Sequence, residues 1–169
     1  MAQGERTIKF QEQNIIFRRA GIDDVPDLIE YRVRFLSEQY NHPENYETRA
    51  LRKALLEYFS KSIPSRDFIA WVAEYRQKLI ATSGMVVWNI PARFRGVESG
   101  KLGYLLNFYT VPEARGKGIA TRLLDELIKE ARSLGLKYLH LHASKEGVTI
   151  YKKAGFVEPN MPELVLKLE

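Results

Sequence analysis

Val111 to Thr121 reads Val-Pro-Glu-Ala-Arg-Gly-Lys-Gly-Ile-Ala-Thr. Gly116 and Gly118 leave out side chains where a backbone must turn tightly and approach a ligand. A helix starting just after them presents unpaired N–H groups and a positive dipole end, which together suit a phosphate. Arg115, Lys117 and Arg122 add positive charge at the same place. The stretch reads as a cradle for a diphosphate-bearing ligand. Two familiar phosphate loops do not fit it. Gly116-Lys117 has no glycine five residues earlier, as a P-loop requires, and Thr121 stands where a dinucleotide fingerprint needs its third glycine.

The elements around this loop follow from periodicity. Leu102 to Val111 is apolar almost throughout, as a central strand covered on both faces would be. After the loop, Gly118 to about Leu134 reads as a helix with Ala120, Leu123, Leu124, Leu127, Ile128 and Ala131 on one face, stopped by Gly135. Before the loop, Ile15 to Ala20 reads as a short strand. Asp23 or Asp24 caps a helix carrying Val25, Leu28, Ile29, Val33 and Leu36, which Asn41-His42-Pro43 breaks. A second helix spans about Arg49 to Ser62. Phe68 to Tyr75 and Leu79 to Ile90 form a hairpin across Arg76-Gln77-Lys78, and Pro91 to Gly100 is a surface loop. Tyr138 to Ala143 is a strand, Glu146 to Ala154 a short helix and Glu163 to Leu168 a last strand. The expected fold class is α/β, with helices on both faces of the sheet. Residues 1–14 are an N-terminal arm, an extra strand or a flexible lead, and 15–169 are a single domain.

Composition sets the outer limits. At 169 residues, 45% hydrophobic and 28% charged, the chain suits one globular domain that needs no staples. The absence of cysteine excludes disulfides, thiolate metal sites and a cysteine nucleophile, and three histidines make a histidine-rich metal centre a poor expectation, so no metal is expected. No apolar run suits a membrane helix and residues 1–14 lack a secretory pattern, so a cytoplasmic location is the default expectation. The net charge of +5 suits an anionic partner or simply a solvated basic surface. No nucleic-acid motif accompanies it, so no nucleic-acid partner is expected.

The loop resembles the acyl-CoA-binding motif of the GNAT superfamily of N-acetyltransferases, [Q/R]-x-x-G-x-[G/A], filled here by Arg115, Gly118 and Ala120. Asn107-Phe108-Tyr109-Thr110-Val111-Pro112-Glu113 is similar to the family's preceding strand. Leu141-His142-Ala143-Ser144 and Ile150-Tyr151-Lys152-Lys153-Ala154-Gly155-Phe156 resemble its second motif. One departure is Leu79-Ile80-Ala81, where the family often carries a glycine. The resemblance covers roughly residues 15 to 168. It implies a mixed sheet of about six to seven strands that splays around the pantetheine arm of acetyl-CoA.

By that resemblance, backbone groups of Phe108, Tyr109 and Thr110 pair with the arm like an added strand. Arg115, Gly116, Lys117, Gly118, Ile119, Ala120 and Thr121 hold the pyrophosphate, largely through amides. Tyr151 matches the tyrosine that protonates the departing thiolate; a phenol titrating near 10 keeps its proton at neutral pH. Ser144 is placed to bind the cofactor or polarise Tyr151, or simply to cap a helix. Asn107 can orient an amine but cannot take its proton. The general base stays open among His140 and His142, which share one strand face, Glu30, Glu98 and a water chain. Tyr31, Tyr40, Trp88 and Phe94 are candidates for acceptor contacts, core or rim.

The implied activity is acetyl transfer from acetyl-CoA to a small-molecule or peptide amine by direct attack on the thioester. A homodimer is compatible with it. A second reading, a non-catalytic acyl-CoA-binding or regulatory module on the same fold, has no need of an acid at Tyr151.

Overall fold

The computed structural model describes residues 12–41, 46–91, 100–160 and 163–168. Its strands are β1 (Ile15–Arg19), β2 (Phe68–Tyr75), β3 (Lys78–Asn89), β4 (Lys101–Thr110) and β5 (Leu139–Leu141). Its helices are α1 (Val25–Tyr40), α2 (Tyr46–Ser65), α3 (Ile119–Ser133) and α4 (Val148–Lys153). The strands form one sheet in the order β1-β2-β3-β4-β5, antiparallel except for the parallel β4–β5 pair.

Helices cover both faces. On one, Val25, Leu28, Ile29 and Val33 of α1 and Phe59 of α2 pack with Phe68, Ala70 and Val72 of β2. On the other, α3 presents Ile119, Leu123, Leu124, Leu127 and Ala131 to Ile69, Ala73, Met85 and Leu105. Leu123, Leu124 and Leu127 are fully buried, each contributing about 2 kcal/mol of transfer free energy. The two helical layers hold β4 between them, with buried and half-buried residues throughout after Lys101.

The hairpin turns on Arg76 and Gln77, both at positive φ (49° and 61°), the backbone of a tight turn whose twist suits the flanking strands. The second helix is longer than the periodicity suggests. Pro64 falls in its final turn, with only Ser65 of the helix left to follow it. Asp24 stands at the start of α1 without capping it: its carboxylate accepts from the Gly21 amide (2.8 Å) and from Arg18 (2.7 and 2.8 Å).

The expected last strand is corrected. Glu163 to Leu168 has no strand pairing, and Leu164, Val165, Leu166 and Leu168 are all more than 80% exposed. An apolar-rich segment makes a strand only beside a free sheet edge of useful length, and β5, expected from Tyr138 to Ala143, is just three residues long. The described sheet therefore has five strands, not six or seven. No helix among the described residues is long and apolar enough to cross a membrane. Phe94, Glu98 and most of the N-terminal arm lie outside the described residues.

Candidate active site

The site begins with an irregularity in β4. Along the β3–β4 ladder Thr82 faces Tyr109 but Gly84 faces Leu106, so β4 holds an extra residue at the bulge. Asn107 sits there at φ 59°, a left-handed conformation that asparagine tolerates better than most residues. Thr82 Oγ1 donates to the Asn107 carbonyl (3.2 Å) and steadies the bulge. The Asn107 side chain is buried, and its Oδ1 accepts no hydrogen bond. A buried orphan acceptor costs about 1–3 kcal/mol, so it points to a partner the folded chain does not supply.

The parallel pairing stops just before the bulge, where β5 itself ends. β5 pairs with Gly103 to Leu105 alone, so from Leu106 onward β4 has a strand neighbour on one edge only. Phe108, Tyr109 and Thr110 lie on this one-sided stretch. Phe108 faces the α3 side and meets the Tyr151 ring edge-on (centroids 5.6 Å, 90°). Tyr109 faces the α1 side, is buried, stacks on Tyr31 (5.5 Å) and donates to Glu38 Oε1 (2.8 Å). Burial and the Glu38 carboxylate push its phenol up to about 12.

The strand then runs into the glycine turn. Gly116 and Gly118 have φ of 74° and 73°. A Cβ built on either would meet nothing within 4 Å, so both turn bare backbone toward open space. Gly118 is the N-cap of α3, no side chain caps that helix, and the first helical bond is Arg122 N–H to Gly118 O (3.0 Å). The amides of Ile119, Ala120 and Thr121 are thus the orphan donors that a helix start leaves for a ligand. The three cations have protein partners. Arg115 pairs with Glu38 (2.8 Å), donates to Thr110 O (2.9 Å) and lies over the Tyr109 ring. Lys117 Nζ donates to Glu113 O (2.9 Å), and Arg122 pairs with Glu126 (3.1 Å). Open amides, positive-φ glycines and a one-sided strand edge fit an extended pyrophosphate-bearing thioester such as acetyl-CoA.

Tyr151 projects from α4 onto this edge, half-buried between Phe108 and Phe156. Burial alone pushes its phenol up to about 12. Ser144 is exposed, and its Oγ accepts the Gly147 amide (3.1 Å), so its visible work is to cap the turn into α4. A Cβ at Gly147 would lie 3.3 Å from both Ser144 Oγ and Tyr151 Cε2, so that glycine gives the tyrosine its room.

The base candidates separate. Glu30 is bound by Arg34 (2.9 Å) and Arg52 (3.1 Å), which hold its carboxyl below the usual range against the opposing effect of burial. His140 is exposed on β5. His142 bonds the Tyr104 hydroxyl through Nδ1 and the Glu163 carboxylate through Nε2. Among the acceptor candidates Tyr31 is core, bonded to Leu79 O, whereas Trp88 is 45% exposed and stacks on Tyr104 (4.9 Å). Glu38, Thr82, Tyr104 and Glu163 were not legible as site residues. Each meets its partner only through the tertiary fold, and none belongs to a local motif.

Comparison with known proteins places this geometry. The sequence model of the acetyltransferase (GNAT) family matches residues 25–156. The uncharacterized N-acetyltransferase YjgM of Escherichia coli (strain K12) is 32% identical over 89 residues. That match takes in 51% of this chain and 49% of the relative, so the chain spans about half the length of that protein. A crystal structure of a predicted acetyltransferase with acetyl-CoA from Clostridium acetobutylicum is 32% identical, with a TM-score of 0.79 over 92% of this chain and 96% of that one. A GCN5-related N-acetyltransferase from Ralstonia eutropha JMP134, 22% identical, shares the fold with a TM-score of 0.78 over 90% and 98%.

Proposed function

The chain belongs to the acetyltransferase (GNAT) family, and from that membership we propose that it transfers the acetyl group of acetyl-CoA to a primary amine of a small molecule or peptide. The observation that carries this reading is the path of β4. It parts from β5 after Leu105, just before the Asn107 bulge, and runs on into a glycine turn that opens an uncapped helix start.

Bound acetyl-CoA would supply an electrophilic thioester carbonyl and a thiolate leaving group. Phe108, Tyr109 and Thr110 offer the unpaired strand edge to its extended arm. Gly116 to Thr121 offer amides and the positive end of α3 to its pyrophosphate. The orphan Asn107 Oδ1 can accept an N–H of the incoming amine and aim its lone pair. Tyr151 keeps its proton throughout the neutral range and can deliver it to the sulfur. A thiol titrates near 8.5, so a phenol at about 12 would give up its proton uphill by about 3.5 units, or ~5 kcal/mol. Donation to the sulfur is therefore coupled to the proton that the nitrogen loses as the amide forms, which restores the phenol.

The test is thiol release from acetyl-CoA across a panel of primary amines with the purified chain. Acceptor-dependent release supports the reading. Tight CoA binding without release on any amine would favour a binding module instead.

A further inference from the structure

We propose that Tyr104, His142 and Glu163 form the relay that removes a proton from the incoming ammonium, with His142 as its terminal acceptor; this rests on the acetyl-transfer reading above. Tyr104 faces Val86 across the β3–β4 ladder and His140 across the β4–β5 ladder. Val86 packs against the α1–α2 core, so these facing residues share the α1 side of the sheet. Trp88 stacks on Tyr104 from β3 (4.9 Å, 21°), and the His142 ring lies 5.8 Å away on the other side. Three half-open rings thus line up beside the one-sided stretch of β4. The side chains of His142 and Glu163 are 66% and 61% exposed, so a proton arriving there can leave to solvent.

The bonds are directional. A carboxylate only accepts, so Glu163 fixes the hydrogen of His142 on Nε2. Nδ1 is then a lone pair and accepts from the Tyr104 hydroxyl. The remaining lone pairs of the phenol oxygen are free to accept a proton from the acceptor side. This is the polarity of hydroxyl–imidazole–carboxylate arrangements, in which the carboxylate holds the tautomer and stabilises the imidazolium. Two protons leave the nitrogen in all. The ammonium gives the first to the Tyr104 oxygen as that hydroxyl's own proton moves to His142 Nδ1. The free amine then attacks the carbonyl carbon, the C–N bond forms and the C–S bond breaks. Tyr151 protonates the thiolate, and the second nitrogen proton, lost as the amide forms, replaces the one Tyr151 gave. Tyr104 lies three residues before Asn107, about 10 Å along the strand. The length of the tyrosine side chain and a bridging water cover that gap.

Other charged or titratable groups also face the relay. Arg32 of α1 lies within electrostatic reach of Tyr104, Tyr40 lies within reach of Arg32, and His140 stands opposite Tyr104 in register. Burial and the Glu163 charge push the Tyr104 phenol above its ordinary value and the Arg32 charge opposes them, so Tyr104 passes its proton on only as it receives another.

The experiment follows thiol release from acetyl-CoA between about pH 6 and 9.5, with primary alkylamines and an arylamine that is already neutral at pH 7. With His142→Gln, kcat/KM on an alkylamine should fall about 10²-fold at pH 7. The deficit should shrink about tenfold per pH unit as water deprotonates the amine, while arylamine turnover is spared and CoA affinity is unchanged. Glu163→Gln and Tyr104→Phe should shift the same acid limb by smaller amounts. Parallel pH profiles for variant and wild type, or equal losses on both amine classes, would overturn the relay. So would an Nδ1–H tautomer for His142 in nitrogen–proton correlation spectra, a readout independent of turnover. Absence of release by the wild type on every amine would instead refute acetyl transfer itself, and the relay with it.

Discussion

Tyr151 shows how a single side chain carries both packing and chemistry. Its ring fills the space between Phe108 and Phe156, and the burial that results is what pushes its phenol up to about 12. Tyr151→Phe keeps the ring and removes only the oxygen. We expect kcat to fall about 10²- to 10⁴-fold while CoA affinity and melting temperature barely move. Because the folded phenol stays protonated well past pH 10, the wild-type kcat profile should show no basic limb from this residue below that pH. A limb near pH 10 that vanishes in Tyr151→Phe would contradict the assignment of its environment. At this scale the loop glycines and Tyr151 were legible because they sit in a local pattern. The partners of Arg115 were not, since Glu38 lies far away in sequence and meets it only when α1 docks beside β4.

The elements were read well where periodicity is strong and poorly where pairing decides. α3 shows a full apolar stripe, so its bounds came out within a residue of those observed. Glu163 to Leu168 is rich in apolar residues as a strand would be, but β5 offers it too short an edge. The bulge at Asn107 had no sequence signal, because an extra residue in a ladder is visible only against its partner. The hairpin was legible, yet its turn uses Arg76 and Gln77 where Asn-Gly would sit without strain. Replacing the pair by Asn-Gly should raise stability by about 1 kcal/mol, measured by denaturant melts, with no change in CoA affinity. Gly147→Ala tests the other end of the site. The added methyl must shift the Ser144 turn or the Tyr151 ring by a few tenths of an ångström. Turnover should fall more than stability does, as paired kinetics and melts would show.

Across the whole molecule, one charged cluster ties the first strand to the start of α1. Arg18 bonds Asp24 through both terminal nitrogens and reaches Glu74 on β2 (2.9 Å). The guanidinium, with help from the Gly21 amide, holds the Asp24 carboxyl below its ordinary range. A carboxyl depressed on folding lends its stability above the unfolded value near 3.9, and that contribution is lost as pH falls through the folded value. Asp24→Asn should therefore cost roughly 1–3 kcal/mol at pH 7 and flatten the acid side of the stability curve. An unchanged acid limb would show that other carboxylates govern acid unfolding.

The central claim is that the β4 edge and the glycine turn together bind acetyl-CoA, and calorimetric titration with CoA tests it most directly. The wild type should bind with micromolar affinity. Gly118→Val forces a β-branched side chain into a left-handed backbone and into the open space before the helix start. It should cost about 1–3 kcal/mol of stability and weaken CoA binding at least tenfold in protein that remains folded. No heat from the wild type at millimolar CoA, or equal affinity in the folded variant, would contradict the account.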